Sequence, residues 1–109
     1  MSYFAIWEFH VKPDSIPTFE KIYGPDGDWA QLFRRSPEFL GTELLRDLNH
    51  SGRYLTNDCW TSREALHQFK QDHRADYDAL DRQCESMTDQ EISLGEFESV
   101  DGEPASAGY

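Results

Sequence analysis

The sequence predicts an α+β domain in which four antiparallel strands carry two helices on one face, in the order βαββαβ. Three observations lead there. Short β-prone runs alternate with amphipathic stretches of helical spacing, and Asn49-His50-Ser51-Gly52 joins two of the runs as a hairpin. The chain has 109 residues, 38% apolar and 14% aromatic, which suits one domain around one packed core.

Residues 3–11, "YFAIWEFHV", form the first predicted strand, and Lys12-Pro13-Asp14-Ser15 ends it. Asp14 or Ser15 is placed to cap a helix whose Ile16, Phe19, Ile22 and Tyr23 share one face. Gly24 to Gly27 interrupt that helix, and Asp28 is the expected cap of a second piece carrying Trp29, Leu32 and Phe33 up to Ser36-Pro37. Residues 39–48 and 53–61 are the hairpin strands. Thr61 and Glu64 have the spacing of a capping box, opening one long helix with the stripe Leu66, Phe69, His73, Tyr77, Leu80, Cys84 and Met87. Residues 90–100 supply the fourth strand, which closes the domain at residues 1–100. The tail 101–109, "DGEPASAGY", is small and polar and is expected to be flexible.

This is the ferredoxin-like order, and it leaves one sheet face without helices. Strand one alternates Trp7, Phe9 and Val11 on one side with Phe4, Ile6, Glu8 and His10 on the other, so both faces carry apolar residues. By the same parity Ile92 and Leu94 oppose Phe97 in the last strand. A sheet that is apolar on both sides needs a second cover, and a copy of the same chain is the economical one.

Composition narrows the partners. With 21 acidic against 10 basic residues the net charge is −11, so the surface offers no counterion-release energy to nucleic acid or to an anionic membrane. No apolar run has the length of a membrane span, and the N-terminus lacks a basic, hydrophobic leader, from which a cytoplasmic protein is expected. Cys59 and Cys84 are too few for a disulfide framework and too isolated for zinc, and both read as small hydrophobes. The loop "YGPDGD" has the wrong ligand spacing for calcium, and its carboxylates would compete with phosphate for the amides of the helix start. It reads instead as a break that re-aims Trp29 and Phe33 over the sheet, a hinge and not a ligand cradle.

Three segments, "WEFHVKPDSIPTFEKIY", "YLTNDCWTSREALHQF" and "SLGEFESV", resemble the dimeric α+β barrel superfamily and, within it, the antibiotic biosynthesis monooxygenase domain. The most specific part is Trp60 followed by Ser62, Ala65 and Leu66, close to a W-x-S-x-x-A-L junction. The resemblance spans roughly residues 3–100. It implies a homodimer whose two sheets close into a barrel, and a pocket between each sheet and its own helices. The family includes cofactor-free oxygenases of quinol-like aromatics, haem-degrading enzymes and many members of no known activity, so the resemblance implies no single activity. Two departures disfavour haem. Trp7 stands where haem-degrading members have Asn, and their ligand His aligns near Ala79. Phe69 also replaces a His common in the family.

His73 is the one titratable side chain inside the apolar stripe of the long helix, a candidate general base or hydrogen-bond donor. Its plain alternative is a half-buried His satisfied by a carbonyl or by Asp76. Tyr77, one turn on, is the second catalytic candidate, or a core aromatic with its tip at the surface. Trp7, Phe9, Trp29, Phe33 and Phe69 are the candidates for substrate contact, or else simply core. Asn57 and Asp58 alternate faces, so only one can look into a cavity. Asp58 reads as structural, and if buried it needs a raised pKa or a partner such as Arg46 or Arg53 on neighbouring strands. His10, beside Glu8, is expected to make a hydrogen bond on the uncovered face. His50 lies in the hairpin and His67 on the outer helix face. No metal and no cofactor are expected. Two functions remain open: a monooxygenase for a small aromatic, or a non-catalytic dimer that binds a hydrophobic small molecule or fills the pocket with its own side chains.

Overall fold

The computed structural model describes residues 2–100, so the tail 101–109 lies outside the described residues. The elements are β1 (Tyr3–Val11), α1 (Ile16–Tyr23), α2 (Asp28–Phe33), β2 (Phe39–Arg46), β3 (Arg53–Trp60), α3 (Arg63–Asp72), α4 (Arg74–Cys84) and β4 (Thr88–Glu98). Single 3₁₀ turns, Pro13–Ser15 and Glu85–Met87, precede α1 and β4. The strands form one antiparallel sheet in the order β2-β3-β1-β4, the predicted α+β ferredoxin-like arrangement.

The sheet alternates as expected in β1. Tyr3, Ala5, Phe9 and Val11 are buried under the helices, and Phe4, Ile6, Glu8 and His10 face away. The parity of β4 does not hold. Ile6 pairs with Gly95 and Trp7 with Ser93, so Leu94 is the extra residue of a bulge. Ile92 opposite Glu8 and Phe97 opposite Phe4 therefore share the uncovered face, where simple alternation had set them apart. Gly95 adopts φ 129° at this bulge, and the Phe97 ring lies against it.

Two of the expected caps shift by one residue. Ser62, not Thr61, caps α3 through the Ala65 amide at 3.1 Å, and Gly27 stands where Asp28 was expected, with Asp28 as the first residue of α2. Ser15 precedes α1 without a side-chain cap bond. The long helix is also not continuous. His73 leaves helical geometry at φ −123°, ψ 31° and divides the stripe into α3 and α4.

The interior is aromatic. Phe9, Phe19, Tyr23 and Tyr54 pack at one end, while Phe33, Phe39, Trp60 and Phe69 pack at the other. Trp29 links the groups, 6.2 Å from Tyr23 and 5.7 Å from Phe33 between ring centres. The Gly24–Gly27 break sets its position. Arg34 donates to the Pro25 carbonyl at 2.8 Å and to Asp26 at 3.0 Å, and Gln31 to the Asp26 carbonyl at 2.9 Å, which ties the loop to α2. A methyl group on Gly27 would sit 2.3 Å from the carbonyl oxygens of both Lys21 and Ile22. Gly27→Ala should therefore cost about 1–3 kcal/mol, the overpacking range, and lower the melting temperature by several degrees in calorimetry. Asp26→Ala, at an exposed position, should shift it by far less.

Candidate functional site

Between sheet and helices lies a cavity of about 310 Å³. Its sheet side is built from Trp7 and Phe9 on β1, Thr42 on β2, Thr56 and Asp58 on β3, and Glu91 on β4. Its helix side comes from Tyr23 on α1, Trp29 and Phe33 on α2, Lys70 on α3, and Tyr77 and Asp81 on α4. The volume and mixed lining suit a small aromatic molecule.

Of the residues singled out in the sequence, Trp7, Phe9, Trp29, Phe33 and Tyr77 meet at this cavity. Phe69 and His73 are not among its lining residues. Phe69 is 2% exposed and packs on Phe33 and Trp60, and His73 lies against Phe69 at 4.8 Å between ring centres. The cause is the break in the helix. In an unbroken helix Phe69, His73 and Tyr77 would share one face, whereas here the turn at His73 leaves Tyr77 at the cavity and His73 outside its lining. Asp76, the carboxylate considered for His73, instead accepts from Arg35 at 2.6 Å.

The chemically distinctive group is Asp58. Period-two alternation places it on the same face as the buried Tyr54, Thr56 and Trp60. Neither expected arginine reaches it. Arg46 binds Glu20 at 2.7 Å, an ion pair completed by a hydrogen bond from the Tyr54 hydroxyl, and Arg53 binds Glu8 at 3.1 Å and Asp47 at 2.9 Å. The partner of Asp58 is Thr42, directly opposite on β2, whose hydroxyl donates to the carboxylate at 2.5 Å. Burial raises the Asp58 pKa to about 6, against the smaller opposing effects of the Thr42 hydrogen bond and the Lys70 charge. Tyr77 moves the other way in usefulness as a base. Burial, then the charges of Asp81 and Asp58, push its pKa up to about 12, so its phenol remains a donor at neutral pH.

The remaining walls are set by packing. The Tyr77 ring meets Trp29 edge-on at 5.1 Å, and the Lys70 ammonium lies 5.3 Å from the centre of the Tyr77 ring. Trp29 is 8% exposed and its indole N–H has no hydrogen-bond acceptor within bonding geometry. Lys70, Asp81 and Glu91 carried no role in the sequence reading. The signal for Asp81 was present, since it follows Tyr77 by four residues on one helix face. Glu91 comes into place opposite Phe9 through the pairing of β4. His10 does bind Glu8, at 2.6 Å, on the uncovered face. Cys59 and Cys84 are free thiols, the second buried. Among the described residues no three His, Cys, Asp or Glu side chains come together to hold a metal, and no helix is long and apolar enough to cross a membrane.

A four-stranded antiparallel sheet with helices on one face is a fold that this chain shares with antibiotic biosynthesis monooxygenase-like proteins. A variant of SnoaB, a cofactor-independent oxygenase from Streptomyces nogalater, superposes with a TM-score of 0.71 at 17% identity, over 95% of this chain and 98% of that one. Rv0793 from Mycobacterium tuberculosis gives 0.67 at 16% identity, over 94% and 98% of the two chains. An antibiotic biosynthesis monooxygenase gives 0.64 at 19% identity, over 93% and 100%. No family model and no curated protein sequence matches the chain.

Proposed function

We propose that this protein is a cofactor-independent monooxygenase that oxidises a small, electron-rich, quinol-like aromatic in the cavity. The observation that carries the reading is Asp58, a carboxylate at the cavity wall whose pKa of about 6 leaves it ionised, yet still basic, at neutral pH. The fold shared with SnoaB supports the same reaction class. In this reaction Asp58 takes a proton from an activated ring CH2 group, as in the keto tautomer of a phenolic ring. The carbanion passes electrons to dioxygen in one-electron steps, a C–O bond forms, and the peroxide is protonated. Loss of the second hydrogen of that carbon as a proton, with cleavage of the O–O bond, expels water and leaves a carbonyl. One oxygen atom enters the product and the other leaves as water. Tyr77 donates a hydrogen bond to a ring oxygen, and Lys70 stabilises its developing charge. The aromatic walls exclude water around the reacting carbon.

The assembly we propose is a homodimer through the uncovered sheet face. Leu45, Ile92 and Phe97 on that face are 47%, 40% and 48% exposed, beside half-buried Phe4, Ile6 and Leu55. Such a contiguous apolar surface calls for a cover.

The test is a screen of the purified protein for oxygen consumption against quinols and anthrones, with tryptophan fluorescence to report binding. Because Trp7 and Trp29 both line the cavity, an aromatic ligand should quench emission. The double variant Trp7→Phe/Trp29→Phe should lose the quench, while Trp60, 0% exposed in the core, keeps emitting. Quenching without oxygen uptake would leave a binding module. Neither signal with any aromatic would remove the cavity as a site.

A further inference from the structure

The charges around the cavity are unbalanced, and the imbalance selects a ligand. Three carboxylates, Asp58, Asp81 and Glu91, line it with one cation, Lys70. Among the described residues no cationic side chain pairs with Asp81 or Glu91 within 4.0 Å. All three border the same cavity as Tyr77, Asp58 from β3, Asp81 from α4 and Glu91 from β4. Desolvation by burial, with the charges of Asp81 and Glu85 adding to it, raises the Glu91 carboxyl above its ordinary value.

We propose, resting on the cavity reading above, that the aromatic bound here carries a protonated amine, which Asp81 and Glu91 receive while the ring packs between Trp7 and Tyr77. A cation gains from both carboxylates and from the faces of the surrounding rings. A neutral ring binds without that gain. An aromatic carboxylate loses its hydration and meets like charge, so it is rejected. The net charge of −11 acts in the same direction at long range, drawing cations toward the protein.

Three probes with one ring and three charges test this: dopamine, 4-methylcatechol and 3,4-dihydroxyphenylacetate, titrated without oxygen by calorimetry at pH 7 and low salt. The expected order is dopamine tightest, 4-methylcatechol roughly tenfold weaker, and the carboxylate roughly tenfold weaker again. In Asp81→Asn/Glu91→Gln, folded by circular dichroism, the three should converge to within about threefold, and Asp81→Asn alone should give an intermediate spread. If 4-methylcatechol binds but the carboxylate equals or exceeds dopamine, or the double variant keeps the original order, the amine assignment is wrong and the cavity stands. If none of the three binds, the cavity reading fails and the assignment with it.

Discussion

Ile6→Asp is expected to split the proposed dimer. Ile6 faces away from the helices, between Asn57 on β3 and Gly95 on β4, at the centre of the uncovered face. Among the described residues an aspartate there finds no free cation, because Arg53 on this face is already engaged by Glu8 and Asp47. Leaving a charge buried and unpaired costs about 3–5 kcal/mol, which weakens association roughly 100-fold or more. Sedimentation equilibrium should show the native protein as a dimer at micromolar concentration and the variant as a monomer or unfolded chain. A native monomer at that concentration would remove the interface. A variant that dimerises as tightly as the native chain would place the contact elsewhere. Glu8→Gln makes a useful contrast, because Glu8 is already paired with Arg53 on this face and hydrogen-bonded to His10.

Asp58→Asn is expected to abolish turnover and stabilise the fold. The amide oxygen still accepts from Thr42, so the local geometry is kept. Without the base, turnover should fall by roughly 100-fold or more while an aromatic ligand still binds. The stability change has a definite sign. Asp58 has its pKa raised from 3.8 to about 6 on folding, so between those values the folded state holds more protons than the unfolded one. The stability that Asp58 contributes is then complete below pH 4 and falls as pH rises through 6, by at most about 3 kcal/mol. The variant removes this loss. Its melting temperature should exceed that of the native protein at pH 8, by up to roughly 10 °C, and the difference should close toward pH 4. Full activity in the variant, or a lower melting temperature at pH 8, contradicts the assignment of Asp58.

Much of the fold is legible because its signals are local. The alternation of β1, the turn at Asn49–Gly52, the break at Gly24–Gly27 and the aromatic stripe of α1 and α2 follow from side-chain period and backbone preference, and the structure places each where those rules put it. The errors arise where one residue changes the count. Leu94 bulges from β4 and brings Ile92 and Phe97 onto one face, although their spacing says otherwise. His73 leaves the helix and separates itself from Tyr77, although their spacing is helical. The first has a local mark in Gly95, since a glycine inside a strand permits the positive φ found at the bulge. Nothing in the helical spacing marks the second.

The site was half legible for the same reason. Aromatic residues at regular spacing marked Trp7, Phe9, Trp29, Phe33 and Tyr77, all of which line the cavity. Asp58 was visible only as one of two alternating candidates, with Asn57, for an inward position, and its charge environment was not visible. That depends on Arg46 and Arg53 being engaged by Glu20, Glu8 and Asp47, pairings between residues far apart in the chain. Lys70, Asp81 and Glu91 look like ordinary surface charges in sequence, and only the closure of α3, α4 and β4 around the cavity gives them a role.

Asp58 is the base on which the proposed reaction depends, and the pH dependence of enzymatic oxygen uptake reads out that role. With a quinol or anthrone that binds, and with spontaneous oxidation subtracted, kcat/KM should rise with pH through an inflection near 6, where Asp58 becomes ionised, and then level off. The inflection should be absent from the residual activity of Asp58→Asn. A profile with no inflection near 6, or the same inflection in the variant, would show that another group takes the proton.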